Sequence, residues 1–478
     1  MADDYWHRVP RIRLNERNLS IIVHSLFSSW MLAFLFEGQI LYSLTASTGL
    51  ATGAMVFGGI TAIFAGLVVC GFWIKSKKAA RRLFLCAYPS FIAISALFFF
   101  SPSILWTIAK IPASFLAGSG VASWGIFLKS GTPKNERIKT AADMLIFSNV
   151  LMILLNLTAI HISPHVGLAC SMLMLLGAFV FALKLPTDSS AAASTPPVPR
   201  EKAGNISGLL AFLCLFIVII TIDSGLMYEV VNPAFAGIEW LTSWYWALPY
   251  IAALLIMRNL PQKINRVHLL YVAIAMLGLS FIGFMSLDHT ALTYLAVNTL
   301  MLGACGVYDL FWWSILGEML EYHPNPVKIF GIGLSANVLG VLLGGLVGKA
   351  FQSGGNNAHT ALLALTVVCV TLALLPFLNK RLSFLLRDHA YLAVYSELTA
   401  QSNREAERSV RLDMLSEREN QVASLLLEGK TNRMIAGELS ISENTVKYYV
   451  KNIFSKYGVQ SRAELIIIML TGAKTPPQ

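Results

Sequence analysis

Runs of about 20 apolar residues recur through this 478-residue chain and constrain its fold more than any other feature. A run of that length crosses a bilayer as one helix, because in hydrocarbon the helix satisfies its own backbone groups. Spans are expected near 19–44, 49–74, 83–101, 103–128, 141–160 and 165–183. A second set is expected near 206–231, 241–257, 268–286, 290–317, 329–350 and 360–378. Only 13% of residues are charged, against about a quarter in soluble domains, so most of the chain must meet lipid. The first run is too long for the apolar region of a signal peptide, and no small-residue cleavage site follows it. All six cysteines lie in apolar runs without a C-x-x-C pair, so neither a disulfide framework nor a zinc site is expected.

The connecting loops predict an orientation. Arg8, Arg11, Arg13 and Arg17 precede the first span, and Lys75, Lys77, Lys78, Arg81 and Arg82 follow the second. Lys129, Lys134, Arg137 and Lys139 follow the fourth, and Arg258, Lys263 and Arg266 follow the eighth. The alternate loops near 45–48, 161–164, 232–240, 287–289 and 351–358 carry no Lys or Arg. Positive loops mark the cytoplasmic side, so both termini of a twelve-span chain are expected in the cytoplasm.

Between the two sets runs a Pro- and Ser-rich stretch from Pro186 to Pro199, the composition of a flexible connector. The chain therefore reads as a cytoplasmic N-terminus (1–18), a first half (19–183), a central loop (184–205), a second half (206–378), a linker (379–412) and a C-terminal domain (413–478). Six plus six helices around a central loop resemble the major facilitator superfamily of transporters. In that family the loop after span two usually carries an acid. Here Gly71 to Arg82 keeps the basic residues and has no acid, which sets active transport apart from what the resemblance implies.

An ionisable group inside a span costs at least about 2.5–3.5 kcal/mol on insertion scales, so each one requires a reason. Glu37, Lys110, Asp223, Glu229 and Asp309 fall on spans one, four, seven and ten, and Asn337 on span eleven. By the resemblance those four spans line a central cavity. Glu37, Lys110, Asp223, Asp309 and Asn337, with Tyr308 and Trp312, are thus expected to form a small-molecule site. Trp124 and Tyr228 are candidate walls. Alternatives stand beside this reading: Glu229 as an interfacial residue, Lys110 as a snorkelling cation, and the aromatics as packing. Gly331, Gly333, Gly340, Gly344 and Gly345 allow close helix approach in span eleven.

Beyond residue 412 the punctuation of a soluble helical domain begins. Ser416-Glu-Arg-Glu419 is a capping box that opens an amphipathic helix ending at Gly429. Thr431 or Asn432 caps a second helix and Ser442 a third, which stops at Gly458. Ser461-Arg-Ala-Glu464 opens a fourth. The tight turn Ser440-Ile441 between helices two and three is that of a helix-turn-helix. Asn444, Lys447, Tyr448, Lys451 and Asn452 share an outward face on the third helix, with Val446, Val450 and Ile453 inward. A face of that kind suits a DNA major groove and also a solvated surface.

Leu415 to Val422, Leu427 to Ala436, Leu439 to Lys447, Ile453 to Lys456 and Ser461 to Leu465 are similar, in order and spacing, to the C-terminal module of LuxR-type transcription regulators. Tyr449 stands where many relatives have His, which reads as a packing substitution. The resemblance implies a bacterial plasma membrane as location and double-stranded DNA as partner, with Lys447, Tyr448 and Lys451 toward bases. It implies phosphate contacts from Thr431, Asn432, Ser442, Asn444, Thr445 and Lys456. A homodimer contact through Ile466, Ile467 and Met469 is implied as well. The domain is nearly neutral, eight basic against seven acidic residues over 413–478, so nonspecific phosphate attraction is weak and pairing or tethering must raise affinity.

Neither a catalytic constellation nor a cofactor motif is found in the sequence. The expected protein is an all-α, membrane-anchored one-component regulator that senses a small molecule and binds promoter DNA. The alternative is a transporter that also regulates.

Overall fold

The computed structural model describes residues 15–36, 38–46, 52–133, 136–187, 206–260, 266–353, 357–387, 415–462 and 464–465. Every regular element among them is helical. The chain divides into two compact units, Met1–Leu385 and Leu386–Gln478. Glu37, much of the central loop and linker, and Ile466, Ile467 and Met469 lie outside the described residues.

The membrane unit comprises α1 (Glu16–Trp30), α2 (Gln39–Thr45), α3 (Thr52–Trp73), α4 (Lys77–Ala96), α5 (Ile104–Gly131), α6 (Arg137–His161) and α7 (Pro164–Ala182). It continues with α8 (Ile206–Leu226), α9 (Glu239–Tyr245), α10 (Leu248–Asn259), α11 (Arg266–Ser286), α12 (Ala291–Met319), α13 (Pro326–Ser353) and α14 (Asn357–Arg387). Among the described residues, eleven helical segments are long and apolar enough to cross a membrane, against the twelve spans expected. The remaining apolar stretch, Leu362–Leu378, is shorter. The periphery stays apolar: Ile108, Leu154, Leu173, Ile256, Val272 and Leu279 are all exposed, a surface that suits acyl chains rather than water.

Glycines set the closest helix approaches. A Cβ on Gly344 of α13 would lie 2.1 Å from the Ile222 carbonyl oxygen of α8, and one on Gly331 would lie 2.2 Å from that of Leu67 on α3. The small-residue stripe read from span eleven thus meets two helices. Gly344→Ala should push α8 and α13 apart and cost about 1–3 kcal/mol, because the obstructing atoms are backbone. Gly58→Ala, with nothing within 4 Å of the added carbon, should leave thermal unfolding in detergent unchanged or slightly raised. Equal midpoints for the two variants would remove this account.

Two segments leave α-helical winding. After α1, Met31–Leu35 forms a π turn closed by Phe36 N–H donating to the Met31 carbonyl at 2.7 Å. After α8, Met227–Val231 does the same, with the Asn232 N–H reaching the Met227 carbonyl. Such turns hold one extra residue per turn and often occur at functional sites.

Basic residues read from sequence as loop charges turn out to be built into one end of the bundle. Lys77 starts α4 and pairs with Glu16 at 2.7 Å. This supplies from α1 the acid that the Gly71–Arg82 segment lacks. Asp143 of α6 receives both Arg17 and, from the second half, Arg258. Arg137, only 3% exposed, donates to the carbonyls of Gly317 (3.0 Å) and Lys129 (3.1 Å) and pairs with Glu321. Asn325 reaches the Gly71 carbonyl at 2.6 Å. These contacts join the two halves at that end.

The second unit packs α15 (Glu417–Leu427), α16 (Asn432–Glu438) and α17 (Glu443–Tyr457) around Val422, Leu426, Ile435, Val446, Ile453 and Leu465. Tyr449 lies partly buried against this core, as a packing residue should. Gly429 and Gly458 take positive φ (84° and 64°) at helix ends, and Ser440 (53°) does so in the turn before α17. That conformation is uncommon for a residue with a Cβ.

Candidate functional site

Within the membrane unit, a cavity of about 230 Å³ is lined from both halves. Leu32 and Phe36 reach it from the first π turn, and Met227 and Tyr228 from the second. Leu145, Asn149 and Met152 come from α6, Trp246 and Tyr250 from the α9–α10 region, Tyr308, Asp309 and Trp313 from α12, and Asn337 from α13. Tyr250 donates its hydroxyl to Asp309 Oδ2 at 3.1 Å. The Tyr308 hydroxyl lies 2.7 Å from Cys305 Sγ and 3.2 Å from Ser224 Oγ.

Of the residues expected here, Tyr308, Asp309 and Asn337 are brought together, with Tyr228 beside them. Three others are not among the lining residues. Lys110 is buried and donates to the Met55 carbonyl at 3.2 Å, in the space left by Gly59 of α3. Asp223 is 1% exposed, both its oxygens lack a hydrogen-bond partner, and its neighbour Ser224 faces the cavity instead. Trp312 is fully packed and Trp313 lines the wall. Trp124 stacks on His24 at 4.9 Å, and Glu229 pairs with Lys349 at 3.3 Å. Asn149, an amide inside a span like Asn337, also lines the cavity and was not among the residues expected from sequence.

In the second unit, Ser416 accepts from the Glu419 N–H, and Glu419 Oε2 accepts from the Ser416 N–H at 2.7 Å. Glu419 also receives Lys456 at 2.7 Å, a pair that ties α17 to α15. Thr431 and Ser442 cap α16 and α17. Both are exposed, as are Asn444, Lys447, Tyr448 and Lys451, while Asn432 and Thr445 are half-buried. Helix N-termini of this kind present N–H groups to anions. Arg462, to which sequence reading gave no role, donates to the carbonyls of Leu426 (3.2 Å) and Lys430 (2.6 Å) and so caps the end of α15.

The hydrogen bond from Lys456, and then that from the Ser416 N–H, hold the Glu419 carboxyl below the usual glutamate range. A depressed carboxyl adds stability above its unfolded value of about 4.3, and this is lost as pH falls through the folded value. Acidifying the C-terminal fragment through that range should lower its thermal midpoint. Glu419→Gln should flatten the dependence and cost about 0–1 kcal/mol at neutral pH through the lost ion pair with Lys456, since glutamine keeps the capping hydrogen bond. An unaltered acid limb in the variant would assign it to another group.

Residues 413–469 match the sequence family described as bacterial regulatory proteins, luxR family. Spore germination protein GerE of Bacillus subtilis (strain 168) is 40% identical over 57 residues, which are 12% of this chain and 77% of that protein. The chain belongs, through this module, to the luxR family. A probable transcriptional regulatory protein, SgaR of Hyphomicrobium methylovorum, is 42% identical over 57 residues, or 12% of this chain. The match spans only 27% of that protein's length. The luxR-family module is thus a DNA-binding helix-turn-helix, with α17 as its second, exposed helix.

The remainder of this luxR-family chain is similar in fold to the major facilitator proton:xylose symporter XylE, solved bound to 6-bromo-6-deoxy-D-glucose. The TM-score is 0.56 at 12% identity, over 76% of this chain and 94% of that one. At that identity the likeness concerns the fold alone. The protein is therefore an all-helical, facilitator-like membrane bundle followed by a luxR-type helix-turn-helix.

Proposed function

We propose that the protein is a membrane-anchored one-component transcription regulator, in which a small molecule held in the bundle controls a promoter-binding helix-turn-helix. The observation that carries this reading is the union, in one chain, of a luxR-family module with a facilitator-like bundle containing a largely apolar cavity that holds a few polar groups. Read as six spans in each half with residues 184–205 between them, the chain has both termini on one side of the membrane, and the basic loops make that side the cytoplasm. Residues 379–412 then connect bundle and module. Ligand shifts the bundle between two arrangements only as far as it binds them unequally. The contacts of Arg137, Asp143 and Asn325 between the halves are the elements such a shift would break or form.

At the DNA, Lys447, Tyr448 and Lys451 read base edges, and Thr431, Asn432, Ser442, Asn444, Thr445 and Lys456 hold phosphates. Pairing through Ile466, Ile467 and Met469 sets two such helices on half-sites about one DNA turn apart. Chromatin immunoprecipitation of the tagged chain with transcript profiling tests the reading. Enrichment at a small set of promoters whose transcripts change on deletion is expected, and uniform recovery of the genome would overturn it.

A transporter that also regulates is the second reading, favoured by the facilitator fold and by the joined halves at one end of the bundle. Saturable uptake of a solute into proteoliposomes, with the module deleted, would establish it in place of a pure sensor.

A further inference from the structure

Resting on the reading of the cavity as the ligand site, we propose that its occupant is a small organic monocation, an ammonium group carried on an apolar or aromatic body. Asp309 is the one carboxylate among the described lining residues, which include no Lys, Arg or His. A carboxylate held away from water without a counter-charge is expensive. The Tyr250 hydroxyl gives Asp309 Oδ2 a single neutral donor at 3.1 Å. That bond orients the carboxylate and leaves Oδ1 for a ligand.

Asn149 commits one Nδ2 hydrogen to the Leu145 carbonyl at 2.8 Å, and its Oδ1 can accept from a ligand. The Tyr308 hydroxyl is already engaged by Cys305 and Ser224. An anion would meet Asp309 with nothing basic to receive it. A polyhydroxylated ligand would need more donors than this largely apolar wall holds. A hard metal ion takes about six or more oxygens, and the wall holds one carboxylate. Trp246 and Trp313 flank the space, and indole faces attract cations. At about 230 Å³ the cavity is smaller than the roughly 300–1,000 Å³ of drug-sized sites, which limits the body to one ring or a short chain.

The test uses the full-length protein in lipid nanodiscs and three probes of similar shape: 2-phenylethylammonium, 3-phenylpropan-1-ol and 3-phenylpropanoate. Binding is read by thermal stabilisation and tryptophan fluorescence. The ammonium is expected to bind, with the alcohol and carboxylate at least about tenfold weaker. Asp309→Asn, which keeps an acceptor for Tyr250, should weaken the ammonium by at least about tenfold and leave the alcohol unchanged. Equal binding of all three, ammonium binding that survives Asp309→Asn, or no binding by any probe at millimolar concentration each overturns the monocation. Val338→Trp, which fills the cavity, separates this failure from that of the underlying reading. If probes still bind a folded Val338→Trp protein, the cavity is not the ligand site; if they are lost there but show no charge preference, only the monocation falls.

Discussion

Replacing Lys447 and Lys451 together with Ala is expected to weaken promoter binding by at least about 30-fold. Each side chain that contacts a base contributes about 1–3 kcal/mol, and 1.4 kcal/mol is a factor of ten. The change should be confined to DNA. Both side chains are exposed. The pair between Lys447 and Glu443 is 3.4 Å long and about half exposed, worth about 0–1 kcal/mol at most. The module should therefore keep its thermal midpoint while the promoter footprint disappears. Salt titration separates two roles for these lysines. If they touch phosphates, the slope of log affinity against log salt becomes shallower by nearly one per lysine. If they read bases, discrimination between operator and unrelated DNA falls instead. An unchanged transcript profile in the double variant would count against regulation through α17.

Arg137→Ala should have the second largest effect, in the membrane unit. This side chain is buried and bridges three groups, the carbonyls of Gly317 and Lys129 and the carboxylate of Glu321. Breaking a buried charged pair from one side costs about 3–5 kcal/mol, and two carbonyls lose a donor as well. The thermal midpoint of the solubilised protein is expected to fall clearly. If the bundle senses a ligand as proposed, reporter output in cells should lose its dependence on ligand, because a contact between the two halves is gone. Arg137→Lys should fail to rescue, since an ammonium lacks the planar fork that reaches several acceptors at once. Full function in the lysine variant would reduce the site to a simple charge.

The all-helical membrane bundle and the luxR-type module were legible in the sequence, and for the same physical reason. Length of apolar run and spacing of caps are properties of a segment by itself. What a side chain faces is a property of its neighbours. Asp223 and Asp309 look alike as acids in spans, yet one is sealed in packing and the other opens on the cavity. Trp312 and Trp313 differ by one position, and only the second is among the lining residues. Lys110 turns toward α3 because Gly59 leaves it room, a relation between residues far apart in the chain. Likewise Lys456 carries the composition of a phosphate contact, and its pairing with Glu419 depends on how α15 and α17 meet. Basic residues near span ends mark topology as a group, but composition does not say that Arg137 will be buried between the halves.

The two π turns have a consequence for how this chain tolerates change. Each segment holds one residue more than regular winding requires, and each contributes to the cavity wall. Loss of a single codon in Met31–Leu35 or Met227–Val231 would let the turn relax to ordinary helix. Because the residue lost is the surplus one, the helix on either side keeps its facing, and only the wall side chains within the turn are re-aimed. A codon lost elsewhere in the same spans has no surplus to absorb it, and everything beyond the lesion rotates by about 100°. The two turns are therefore the places where this wall can change length without the rest of the span changing face.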